Sequence, residues 1–116
     1  MKTYMYKGLI VTTNKDLFEA AGFTKNDYSR LSQASYNRSE YLVEGVDYIT
    51  LMGKDLMSFV NSNSYIYGKR IVRLKLWTIR GVYRLARATS PEYGYKILDV
   101  VLDSFPPINK IIKEDD

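Results

Sequence analysis

The pattern of apolar and polar positions changes period several times along the chain. Tyr4 to Val11 is rich in aromatic and β-branched residues and is broken at Gly8, which predicts two short strands. Thr13-Asn14-Lys15-Asp16 has the spacing of a capping box, with Asp in place of the usual Glu. A short helix is expected from there through Ala21, with Leu17, Phe18 and Ala21 inward and Gly22 as its left-handed stop. Thr24-Lys25-Asn26-Asp27 repeats the cap and opens a second helix to about Ser35. Tyr28, Leu31 and Ser35 fall on one side of it; Asn26, Ser29, Arg30, Gln33 and Asn37 lie mainly on the others. Two short helices joined across Gly22-Phe23-Thr24 have the size of a helix-turn-helix, and equally of an ordinary helical hairpin.

Asn37 to Asp47 is polar and reads as loop; Tyr48–Met52 reads as a strand. Gly53 to Val60 fits a helix with Leu56, Phe59 and Val60 inward, and Asn61 to Gly68 a turn. From Lys69 to Trp77 the chain alternates, with Val72, Leu74 and Leu76 on one side and Arg73 and Lys75 on the other. Thr78 can cap the next helix, which would turn Ile79, Val82, Tyr83 and Ala86 inward. Ser90-Pro91 starts a last helix to about Ser104, with Ile97, Val100, Val101 and Phe105 as core, and Pro106-Pro107 ends it. The expected fold is α+β: a single small domain (residues 1–105) with a short antiparallel sheet, a helix-turn-helix-like helix pair and a C-terminal helical hairpin. Residues 106–116 would form a charged tail.

Composition narrows the chemistry. The chain has no cysteine and no histidine, which removes disulfides, thiolate chemistry, Cys/His zinc sites and Ser-His-Asp arrangements. Carboxylate, Lys or Tyr chemistry stays open. Asp99 and Asp103, one turn apart, could hold a metal, but without further acids nearby a solvated acidic edge is the favoured reading and no metal site is expected. No cofactor is expected. No apolar run approaches the ~20 residues that a bilayer requires, and the first eight residues hold no apolar signal core, so a cytoplasmic location is expected. The formal sequon Asn37-Arg38-Ser39 would then never meet a glycosylating enzyme.

Charge is distributed unevenly. Residues 1–60 carry seven basic and seven acidic side chains, whereas residues 69–87 carry seven basic ones and no acid. Residues 99–116 turn acidic again, with Asp99, Asp103, Glu114, Asp115 and Asp116 against Lys110 and Lys113. A basic block between a neutral half and an acidic tail points to one face built for a polyanion, or to a merely solvated surface.

Three stretches occur in a characteristic order. Val11-Thr12-Thr13 leads into a short helix; Asn37-Arg38-Ser39-Glu40-Tyr41 is followed by Glu44-Gly45-Val46-Asp47-Tyr48; Leu74-Lys75-Leu76-Trp77-Thr78 leads into Arg80-Gly81-Val82. Over roughly residues 8–105 this order resembles the N-terminal domain of phage antirepressor-type proteins. That domain lies in the KilA-N/Bro-N superfamily, and the nearest branch is the one named after phage open reading frame six. The resemblance implies a mixed α/β DNA-binding module acting in the cytoplasm of a bacterial host, with double-stranded DNA as partner. It implies no shared catalytic residues, so the chain is not expected to be an enzyme. The family usually carries a second domain behind this module, and here the sequence ends soon after it.

Two groups of residues are candidates for the DNA contact. Arg73, Lys75, Arg80, Arg84 and Arg87 would neutralise phosphates, the last three forming one stripe along a helix. Asn26, Ser29, Arg30 and Gln33 on the second helix are side-chain types that read base edges, and Asn37 and Arg38 would touch phosphate just beyond it. Tyr65 and Tyr67, in the turn, are candidates for stacking or for a partner, while Tyr28, Tyr83 and Tyr93 have core-like spacing. A different class of function fits the same features. A small phage protein with a basic face and exposed tyrosines suits binding and blocking a host nucleic-acid-handling protein, as anti-CRISPR proteins do. A homodimer is compatible with either reading.

Overall fold

The computed structural model describes residues 1–37, 42–65 and 72–104, with the backbone alone for residues 32–37 and 104. In chain order the elements are β1 (Tyr4–Tyr6), β2 (Leu9–Thr13), α1 (Asn14–Ala20), α2 (Lys25–Asn37), β3 (Tyr48–Met52), α3 (Gly53–Asn63), β4 (Arg73–Thr78), α4 (Ile79–Ala88) and α5 (Pro91–Ser104). The sheet is antiparallel throughout in the order β1-β2-β4-β3. The fold is therefore mixed α+β, and its C-terminal helical hairpin is α4–α5.

Successive strand residues face opposite sides of a sheet, and β4 uses both sides. Leu76 faces a core shared with Tyr4, Val11, Leu51, Tyr65 and the inner face of α3, Leu56 and Phe59. Trp77 faces the larger core, built from Leu17 and Phe18 of α1, Leu31 of α2, Val82 and Leu85 of α4, and Ile97 and Val101 of α5. Both residues are fully buried. The indole N–H of Trp77 donates to Asn14 Oδ1 at the start of α1, so the ring ties the central strand to the first helix as well as filling the core.

The caps lie where the sequence places them. Thr13 Oγ1 accepts from Asp16 N at 3.2 Å, and Thr24 exchanges bonds with Asp27, whose Oδ2 accepts from Thr24 N at 2.9 Å. Gly22 takes φ +76° after α1, a conformation that costs a residue with Cβ and suits glycine. At α4 and α5 the backbones nearly touch, since a Cβ on Gly94 would stand 2.5 Å from the carbonyl oxygen of Ala86. That close crossing offsets the helix propensity lost at Gly94.

Several expectations need correction. α3 runs on to Asn63 and is closed by Ser64 in the left-handed region at φ 50°. Tyr65 is thereby carried into the smaller core, with its ring 5.5 Å from that of Tyr4, and is no stacking platform. Tyr67 lies outside the described residues. β4 begins at Arg73, and Val72, expected inward, is 74 % exposed. On α4 the cap at Thr78 sets a phase that buries Val82, Leu85 and Ala86, leaving Tyr83 45 % exposed instead of inward. Phe105 and the tail lie outside the described residues, as does the side chain of Ser35.

Trp77→Ala is expected to lower stability by roughly 3–5 kcal/mol, the range for removing a large buried aromatic side chain. Denaturant unfolding of the two proteins checks this, and near-native stability would contradict the burial described.

Candidate nucleic-acid interface

α2 is fastened on one side and bare on the other. Leu31 is fully buried, and the Tyr28 ring meets Phe18 edge-on at 5.3 Å. Tyr93 of α5 donates its hydroxyl to Asp27 Oδ1 at 2.7 Å. The backbone N–H of Thr24, then the Tyr93 and Thr24 hydroxyls, hold the Asp27 carboxyl below the usual carboxylate range. On the opposite side Asn26, Ser29 and Arg30 are exposed, one helical turn or less apart. Gln33 and Asn37 belong to the same helix, but their side chains lie outside the described structure, as does the whole of Arg38.

The basic block is divided between a strand and a helix. Arg73 and Lys75 belong to β4, whereas Arg80, Arg84 and Arg87 belong to α4. At ~3.3 Å per residue, Arg73 stands roughly 16 Å from the strand end at Thr78. Arg73 is exposed, but Lys75 is half-buried, on the side of the sheet that carries Trp77. Its ammonium lies 4.7 Å from the Tyr48 ring centroid and 5.3 Å from that of Trp77. Burial lowers its pKa, against a smaller opposing effect of Glu44. The alternating pattern made Lys75 look outward, yet its charge is directed at aromatic faces.

On α4 two of the arginines, Arg80 and Arg84, meet a residue that sequence reasoning missed. Asp47 is fully buried. Its Oδ2 accepts from Val43 N at 2.8 Å and from Arg84 at 3.1 Å, while Arg80 Nε stands 3.8 Å from Oδ1. Among the described residues Oδ1 accepts no hydrogen bond. Arg84 remains 37 % exposed and Arg80 62 % exposed at the side chain, and Arg87 is exposed. The three arginines, with Ile79, Tyr83 and Val101, line an open groove of about 490 Å³.

The main chain fixes Asp47 in place. Its carbonyl oxygen accepts from Thr78 N at 3.1 Å. The Thr78 hydroxyl donates to the Val46 carbonyl oxygen at 2.7 Å, with the Asp47 carbonyl oxygen also 3.1 Å away, and caps α4 by accepting from Gly81 N at 3.0 Å. A Cβ on Gly81 would fall 1.6 Å from that carbonyl oxygen, so position 81 has room for glycine alone. The Glu-Gly-x-x-Tyr and Trp-Thr-x-x-Gly segments are thus packed against each other. A signal was present in the sequence: one acid just before a strand, and two arginines four residues apart, with a helix-weakening glycine between them, in a stretch without acids.

Among the described residues no group of three or more Asp or Glu is placed to hold a metal ion, and no helix is long and apolar enough to cross a membrane. No family model, curated protein or solved structure matches the chain.

Two outcomes follow for stability. Gly81→Ala forces backbone apart and should cost at least the 1–3 kcal/mol typical of overpacking, measured by thermal melting; a melt within a degree of wild type would contradict the contact. For Asp27 the folded pKa is depressed, so its contribution is present above the unfolded value of ~3.9 and is lost as pH falls through the folded value. Melting temperature should therefore drop more steeply below about pH 4 in the wild type than in Asp27→Asn.

Proposed function

We propose that this chain is a double-stranded DNA-binding regulator of the phage antirepressor type, acting in the bacterial cytoplasm without catalysis. The observation that carries the reading is α2. It is held by Tyr28, Leu31 and the Tyr93–Asp27 bond, and it presents Asn26, Ser29 and Arg30 to solvent. A B-DNA major groove ~12 Å wide admits such a helix; Arg pairs with guanine and Asn with adenine. A rigidly anchored helix limits the ordering cost of binding. The arginines of α4 supply phosphate contacts, which set position and carry no sequence information. The packing of the two motif segments on each other supports their being parts of one structural unit.

The exposed rings of Tyr83 and Tyr95, at 45 % and 70 %, favour a second reading, in which the basic face binds and blocks a host protein. Large aromatic side chains are enriched at such interfaces.

Titrating random and library-selected duplexes over a salt series tests the first reading. The logarithm of affinity should fall with a slope of about −0.9 per phosphate contact. Arg30→Ala should cost about 1–3 kcal/mol on the selected site and much less on random DNA. Arg87→Ala should weaken all duplexes alike and reduce the salt slope by about one unit. No binding to any duplex at ~50 mM salt would overturn the DNA reading and leave the protein-blocking one.

A further inference from the structure

We infer that Asp47 organises a phosphate-binding site: its buried carboxylate sets Arg84 and Arg80 into the geometry in which they grip a phosphodiester oxyanion. The inference rests on the DNA reading above. The carboxylate has no exposed surface and is fixed from the main chain by Val43 N, so it cannot follow a moving side chain. Arg84 uses one terminal nitrogen on Oδ2 and is still 37 % exposed at the side chain. A guanidinium has five N–H donors in a rigid fork, so most of those on Arg84 stay available to a ligand. Arg80 stands 3.8 Å from Oδ1, which accepts no hydrogen bond among the described residues. A shift of under ~1 Å would bring that pair to ordinary hydrogen-bond length. Arg80 and Arg84 are one turn apart, with Arg87 one turn further along the same groove.

A lone arginine on a helix surface must surrender its rotamers when it grips a phosphate, which costs roughly two- to tenfold in affinity for each side chain. One fixed carboxylate serving two arginines removes part of that cost beforehand. The net charge of the trio stays at +1, so the site keeps its attraction for an anion. Long-range electrostatics and local organisation then make opposite predictions for the loss of Asp47. Asp47→Asn removes one negative charge, raises the net charge of the protein by one, and by field alone tightens binding to DNA. Loss of the organising carboxylate loosens it.

The experiment is a mutant cycle on the full chain, with a 20-base-pair duplex of random sequence as the probe and circular dichroism as the check on folding. We expect Asp47→Asn to bind about tenfold more weakly than wild type, and to have less than about twofold effect in a background where Arg80 and Arg84 are both alanine, because the carboxylate acts through those two side chains. Arg84→Lys keeps the charge but loses the fork and should weaken binding about as much as Asp47→Asn; it decides the matter alone if Asp47→Asn does not fold. Equal or tighter binding by Asp47→Asn, an undiminished effect of Asp47→Asn when Arg80 and Arg84 are both alanine, or wild-type affinity in Arg84→Lys would overturn the inference while leaving the DNA reading intact. Absence of duplex binding by the wild type would overturn both.

Discussion

Where a side chain at position 81 would begin, the carbonyl oxygen of Asp47 already stands. From that contact several features follow. Thr78 can satisfy the Asp47 carbonyl and the first turn of α4 with one backbone N–H and one hydroxyl. The segment before β3 is held on the end of β4, so the register Tyr48↔Trp77 starts at a fixed point. The Asp47 carboxylate comes to rest under α4, within reach of two arginines. A buried carboxylate without partners would be costly, and the acid-free composition of residues 69–87 supplies the charges that offset it.

The sheet serves two cores. Leu76 and Trp77 are adjacent in sequence and sit on opposite faces, one beneath α3 and the other beneath the remaining helices. Because β4 is covered on both sides at its C-terminal end, its polar residues cannot simply alternate outward. Lys75 illustrates the accommodation: its stem crosses the sheet surface, and its ammonium settles over Tyr48 and Trp77. Long cationic side chains commonly cover apolar surface in this way.

Local signals were legible in the sequence, and non-local ones were not. The capping pairs Thr13–Asp16 and Thr24–Asp27, the hairpin around Gly8, and the strand at Tyr48–Met52 depend on neighbours within a few residues, and each could be read directly. Tyr83 was misassigned because helical spacing leaves a choice of phase, and the Asp47 contact at Gly81 settles it. Tyr65 looked like part of a polar turn because nothing local shows that α3 runs on to Asn63 and delivers the ring to Tyr4 and Phe59. For the candidate interface, the exposed positions of α2 followed from its period. The clustering of Arg80 and Arg84 on one acid required two segments more than thirty residues apart to be brought together.

The strand order has a consequence for how the chain acquires its structure. β2 pairs with β4, not with the strand that follows it in sequence, and Val11 meets Thr78. The β1–β2 hairpin alone is a two-stranded ribbon, marginal in water. Among the described strands β3 pairs with β4 alone. During synthesis the first three strands therefore emerge with no sheet to join, until the segment from Arg73 to Thr78 leaves the ribosome and joins β2 and β3 at once. Non-local pairing of this kind slows folding, since loop closure must precede the contacts that reward it. The same strand carries Trp77, whose ring reaches back to Asn14. Sheet and first helix are thus tied together in a single late event, the larger core still waits for α4 and α5, and a nascent chain that stalls before Arg73 lacks the strand that joins β2 to β3.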